Sequence, residues 1–195
     1  MYKELFRQIA RLVLQPEKAW KELAEKEEKG DEFLVRFVYP LIGLLAASAF
    51  IGILFTEKKF NTELAVKSSV RAFVSFFGGF YLTAYLLNKL WKELFKREDN
   101  LRLWQRFVGY SLVAVFTIRI VFSLLPLLPL SEFVILRFFI LFGATMYIVW
   151  EGAIPYMHIG EKIRLRFTLF VSFFIVLLPE IIDRFLFMLM PGLRV

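Results

Sequence analysis

The sequence predicts an all-α integral membrane protein, a five-transmembrane-helix bundle preceded by amphipathic cytoplasmic helices. Three observations predict it. Hydrophobic residues make up 58% of the 195-residue chain and the mean hydropathy is +0.61, whereas an ordinary soluble domain is about 45–50% apolar. Apolar stretches long enough to cross a hydrocarbon core of about 30 Å recur five times, at about 33–55, 65–90, 104–125, 131–156 and 167–189. Basic residues gather in alternate connections between these stretches. Residues 1–31 then form the cytoplasmic helices and 32–195 the membrane domain.

In residues 2–14, Leu5, Phe6, Ile9, Leu12 and Val13 share a helical stripe, with Lys3, Glu4, Arg7 and Arg11 elsewhere. Such a helix lies in the membrane interface or packs on the protein's own cytoplasmic loops, and hydrophobic periodicity fits both. Pro16 suits the first turn of a second helix in which Trp20 and Leu23 share a face; Gly30 ends it and Asp31 caps the next. Span one, Phe33 to Phe55, carries one charge, Arg36. Pro40 removes a helical donor and should bend it, and Gly43, Ala46, Ala47, Ser48 and Gly52 admit a close neighbour.

The polar loop TEKKFNTE leads to span two, where Ser75, Gly79 and Thr83 recur every fourth residue and should face protein. Arg71 is expected to snorkel to water from its end of that helix. The charged block NKLWKELFKREDNLRLWQR follows, with Trp91 and Trp104 placed like interfacial anchors. Span three ends in PLLP, and the basic turn HIGEKIRLR joins spans four and five. The N-terminus lacks the uninterrupted apolar region and small-residue cleavage site of a signal peptide, so span one is expected to be retained.

With the N-terminus inside, inside segments hold 17 of the 25 Lys and Arg residues, and outside segments hold Lys58, Lys59, Lys67, Arg71 and Arg194. The positive-inside rule therefore predicts N-terminus cytoplasmic and C-terminus outside. A net charge of +7 would suggest nucleic acid for a soluble protein; beside apolar spans it suits anionic head groups, and no nucleic acid partner is expected. Absence of cysteine excludes disulfides, thiolate metal sites and a Cys nucleophile.

Three segments carry a resemblance to a known family: QPEKAW before the second helix, VYPLIG at Val38 to Gly43, and VGYSL at Val108 to Leu112. Together with the order of parts, the chain resembles the Yip domain family, the Ypt/Rab-interacting five-span membrane proteins, and QPEKAW looks like the start of its bacterial members. The resemblance implies the five-span fold, its topology and a membrane location, expected to be a bacterial inner membrane. The Rab-related trafficking role of eukaryotic members is not carried over.

Ionisable residues inside spans are costly and mark candidate sites. Arg119 and Arg137 lie about 9 Å below the outer ends of spans three and four, and Glu180 reaches a similar depth in span five, with Asp183 and Arg184 a turn further out. These five charges form a candidate intramembrane polar cluster, with Glu180 and Arg184 an i,i+4 pair. It reads either as a polar cavity for a lipid head group, ion or small solute, or as an ion-pair network locking spans three, four and five together. Glu151 is a candidate buried carboxyl about 8 Å inside the inner end of span four. Tyr110, Ser111 and Ser172 are its candidate neighbours. Proton or cation coupling, a neutral hydrogen-bonded carboxyl, and a carboxylate reaching the basic inner turn are its three readings.

His158 is the single histidine, read as interfacial, so no imidazole-rich metal site is expected. There is no GxxxxGK loop and no HExxH, and membrane thickness separates His158 from Asp183. No cofactor and no enzyme activity are expected. The sequence instead predicts a non-enzymatic protein that organises or adapts the membrane or joins a membrane complex, the alternative being a small transporter, channel or lipid carrier. Membrane lipids are the expected partners, with other membrane proteins or a second copy beside them.

Overall fold

A computed structural model describes residues 2–26, 32–56, 61–95, 100–124 and 134–190, and all its regular elements are helices. The expected Gly30 stop, Asp31 cap, PLLP connection and Arg194 lie outside the described residues. Helix α1, Tyr2–Leu14, is amphipathic: Leu5 and Leu12 are buried while Phe6 and Leu14 are exposed. Of the two expectations for this helix, packing on the protein claims most of its apolar stripe. Gln15 leaves helical geometry and Pro16 opens α2, Pro16–Glu25, where a missing N–H costs nothing. The Arg11–Glu22 ion pair ties the two helices together.

Among the described residues, five helices are long and apolar enough to cross a membrane. The first opens with a π-helical turn, Leu34–Val38, continued by α3, Tyr39–Thr56. Pro40 has no N–H to offer, and the chain accommodates it by widening the preceding turn, so that the Tyr39 N–H bonds to the Leu34 carbonyl. Helix α4, Thr62–Phe95, has 34 residues and is about 51 Å long, more than the hydrocarbon core needs. The third span is α5, Leu101–Ser111, and α6, Val113–Leu124, separated by a one-residue irregularity at Leu112. Helices α7, Val134–Ala153, and α8, Glu161–Leu189, complete the bundle.

Helix α4 is central, packed against α3 on one side and α8 on the other; α8 also packs on α7, and α3 on α6. Ser75, Gly79 and Thr83 are all buried. A Cβ on Gly79 would lie 2.7 Å from the Pro179 ring, so only glycine lets α4 and α8 meet there. The outward faces are apolar, with Phe73 and Tyr85 on α4 and Leu169 and Phe173 on α8 exposed. That surface is what lipid would solvate.

Trp91 and Trp104 correct an expectation. Rather than anchoring at an interface, both are buried, edge-on to each other at 5.9 Å and both against Phe167. The start of α5 is held against α4: the Asn88 side chain accepts from the Asn100 N–H, and the Asn100 side chain caps α5 at Leu103. Both indoles are thereby turned inward.

Candidate functional site

Two polar regions occupy opposite ends of the bundle. At the far end, away from α1 and α2, Glu180 receives Arg119 of α6 on one carboxylate oxygen and Arg137 of α7, at 3.6 Å, on the other. Asp183, one turn on, lies 3.1 Å from the Nε of Arg71 in α4. The Arg71 contact is a charge contact rather than an aligned hydrogen bond, since this Nε has no hydrogen-bond partner. Side-chain exposure is 15% for Arg119 and 14% for both carboxylates, so the pairs are largely withdrawn from solvent. The guanidinium of Arg119 also sits 4.9 Å over the Phe76 ring and that of Arg71 5.3 Å over Phe187.

Four of the five expected cluster residues therefore come together, and two assignments change. Arg184 is exposed and pairs with none of the described residues, because both oxygens of Glu180 are already engaged by Arg119 and Arg137. Arg71, expected to snorkel, takes its place. A signal for this was present: Arg71 continues the every-fourth-residue row of Ser75, Gly79 and Thr83, which faces α8.

Glu151 lies at the opposite end, 3.9 Å from the guanidinium of Arg164 in α8. Arg164 donates through two nitrogens to the Trp150 carbonyl, at 2.9 and 3.2 Å, and stacks 4.1 Å over the Trp150 ring. Glu151 thus reaches toward the basic inner turn, the geometry that one of its three readings expected. The hydroxyls of Ser111 and Ser172 are buried without hydrogen-bond partners, so neither serves Glu151. His158 is exposed in the left-handed region at φ 52, where the His158 and Ile159 N–H groups close the end of α7 on Ile154 and Ala153. Among the described residues, no three His, Cys, Asp or Glu side chains gather as a metal site would require.

The foot end is built on Trp20. Its side chain is completely buried and its Nε1–H donates to the Ile148 carbonyl of α7 at 2.9 Å. Phe107 and Tyr156 lie 5.0 Å away and Tyr110 meets it edge-on at 5.9 Å. A Cβ on Gly152 would lie 2.5 Å from the indole, so this glycine makes the socket. Tyr110 in turn touches Phe33 and Phe37, each at 4.8 Å. Beside this cluster, α1, α2, the start of span one and Tyr110 of α5 line a half-open cavity of about 710 Å³. Leu5, Leu23, Phe33, Phe37 and Tyr110 supply its apolar lining. Arg7, Arg11, Lys26 and Arg36 supply cations, with Glu4, Glu22 and Glu32 among them. Sequence reasoning missed this cavity, because its walls come from four segments that no local pattern joins.

The segments that meet here are the three that carried the resemblance: Trp20 from QPEKAW, Val38 from VYPLIG, and Gly109 and Tyr110 from VGYSL. A Cβ on Gly109 would lie 2.6 Å from Phe33 and 3.1 Å from Val38. Residues 10–180 match the Yip1 domain. The chain belongs to the Yip1 domain family. No match is found among curated proteins or among solved structures. The Yip1 domain match runs from α1 to Glu180, taking in both the Trp20 socket and the carboxylate that binds Arg119 and Arg137.

Proposed function

We propose that this Yip1-domain protein is a non-enzymatic membrane scaffold, which organises its membrane or adapts it to a partner complex. The observation that supports this most is the occupancy of Glu180: both of its oxygens are engaged by arginines, and Asp183 is engaged by a third. A carrier needs a carboxylate that can exchange its partner for cargo; a lock needs one whose partners are supplied by neighbouring helices. Here α4, α6 and α7 all send an arginine to α8.

In this reading residues 1–31 form cytoplasmic helices on a membrane domain of 32–195, with the N-terminus cytoplasmic and the C-terminus outside, in a bacterial inner membrane. Membrane lipids are the constant partners, and other membrane proteins or a second copy dock on the apolar outer faces.

Proteoliposomes test the scaffold reading. Imposed proton or sodium gradients should drive no flux through the wild-type protein, and Glu180→Gln should lower its thermal stability. Flux that Glu180→Gln abolishes without a change in stability would replace the scaffold with a carrier. Orientation is tested separately, because the chain has no cysteine and single introduced cysteines report without background. Cysteine at position 3 should be labelled from the cytoplasmic side alone.

A further inference from the structure

The foot-end cavity has the size, lining and position of a ligand site. Its volume of about 710 Å³ falls within the range of small-molecule sites. Its lining combines the rings of Phe33, Phe37 and Tyr110 with four cations, Arg7, Arg11, Lys26 and Arg36, and three carboxylates, Glu4, Glu22 and Glu32, of which Glu22 holds Arg11. Arg36 is paired with Glu32 at 2.5 Å, and Arg7 makes no ion pair with any described residue. Phe33, Arg36 and Phe37 flank Leu34, the first residue of span one, so the cavity lies where the chain enters the hydrocarbon. Val35 and Phe6 nearby are 58% and 55% exposed, which leaves an apolar approach beside it.

We propose that this cavity binds one phospholipid with an anionic head group, its acyl portion against Phe33, Phe37 and Tyr110 and its phosphate at Arg7 and Arg36. The position selects the ligand. At the boundary of a span, lipid is the most concentrated amphiphile, and each basic side chain near the surface favours an anionic head. The Arg36–Glu32 pair is exposed and held within one helical turn, so exchange of Glu32 for a phosphate costs little. The inference rests on the reading that the foot end lies at a membrane surface.

The test uses full-length protein in nanodiscs of phosphatidylcholine with a minor fraction of phosphatidylglycerol, released into mild detergent and weighed with its retained lipid. Wild type should hold one phosphatidylglycerol in preference to phosphatidylcholine. Arg7→Gln with Arg36→Gln should reduce that preference roughly thirtyfold. Leu23→Trp, which fills the cavity, should lose the retained lipid while circular dichroism stays helical. Equal retention of both lipids, or retention that survives both variants, would overturn the proposal. Displacement by soluble glycerol phosphate would overturn it too, assigning the cations to a free anion. Retention is read on solubilised protein whatever its orientation, so its failure is distinct from failure of the scaffold reading.

Discussion

The two ends of the bundle are held by different forces. At the foot, Trp20 and its neighbours bury ring against ring, and one indole hydrogen bond to a backbone carbonyl completes the docking of Trp20. At the far end, three arginines and two carboxylates do the joining. The difference follows from what each helix would otherwise contact. Helix α2 carries Glu17, Lys18, Lys21 and Glu22 and is solvated by water when undocked, so burying Trp20 is favoured by the hydrophobic effect. Helices α4, α6, α7 and α8 would otherwise contact lipid, which is as apolar as they are, and packing gains little by expelling it. Charges withdrawn from water then join helices strongly, since each loses its alternative partner.

The largest effect is therefore expected at the foot. Trp20→Ala removes a fully buried aromatic and should cost about 4 kcal/mol. Limited proteolysis should release α1 and α2 from an otherwise helical bundle, and Gly152→Val should do the same by closing the socket from the other side. At the far end, Glu180→Gln removes the carboxylate that Arg119 and Arg137 both contact and should cost about 3 kcal/mol, read as a lower unfolding midpoint in mixed micelles with the N-terminal helices still protected.

Much of this contrast was legible in the sequence, and the reason differs between its parts. Hydropathy is local, so all five spans were readable, and the depths of Arg119, Arg137 and Glu180 followed from counting 1.5 Å per residue. Depth gives the level of a charge but not its direction. Arg184 sits at the right level and points outward, whereas Arg71 was readable only by extending the Ser75, Gly79 and Thr83 row one turn. Trp91 and Trp104 looked like anchors because an indole at the edge of a span has the same local sequence whether it faces lipid or a neighbour. Trp20 finds its acceptor 128 residues away at Ile148, and nothing in the local pattern of α2 names that partner.

Smaller changes sharpen the comparison further. Asp183→Asn should cost about 1 kcal/mol, because Arg71 retains some solvent access and its ring contact with Phe187. His158→Gly should stabilise the protein by about 1 kcal/mol in the same unfolding assay, since a non-glycine residue in the left-handed region is strained. Glu17→Gln should change least. The side-chain hydrogen bond and charge of Lys21 hold the Glu17 carboxyl below the usual carboxylate range, and Glu17 raises Lys21. The Glu17 contribution is present above the ordinary carboxylate pKa and is lost as pH falls through the lowered value. The group is fully exposed, so acid-unfolding curves of wild type and Glu17→Gln should overlay.

A double-mutant cycle on Arg119 and Glu180 tests most directly whether charge joins the far end. Arg119→Gln, Glu180→Gln and their combination are compared by reversible unfolding of the full-length protein in mixed micelles. A lock predicts a coupling energy of about 2 kcal/mol, with the double variant far more stable than the sum of the single losses implies. Single effects that add within about 0.5 kcal/mol would contradict it.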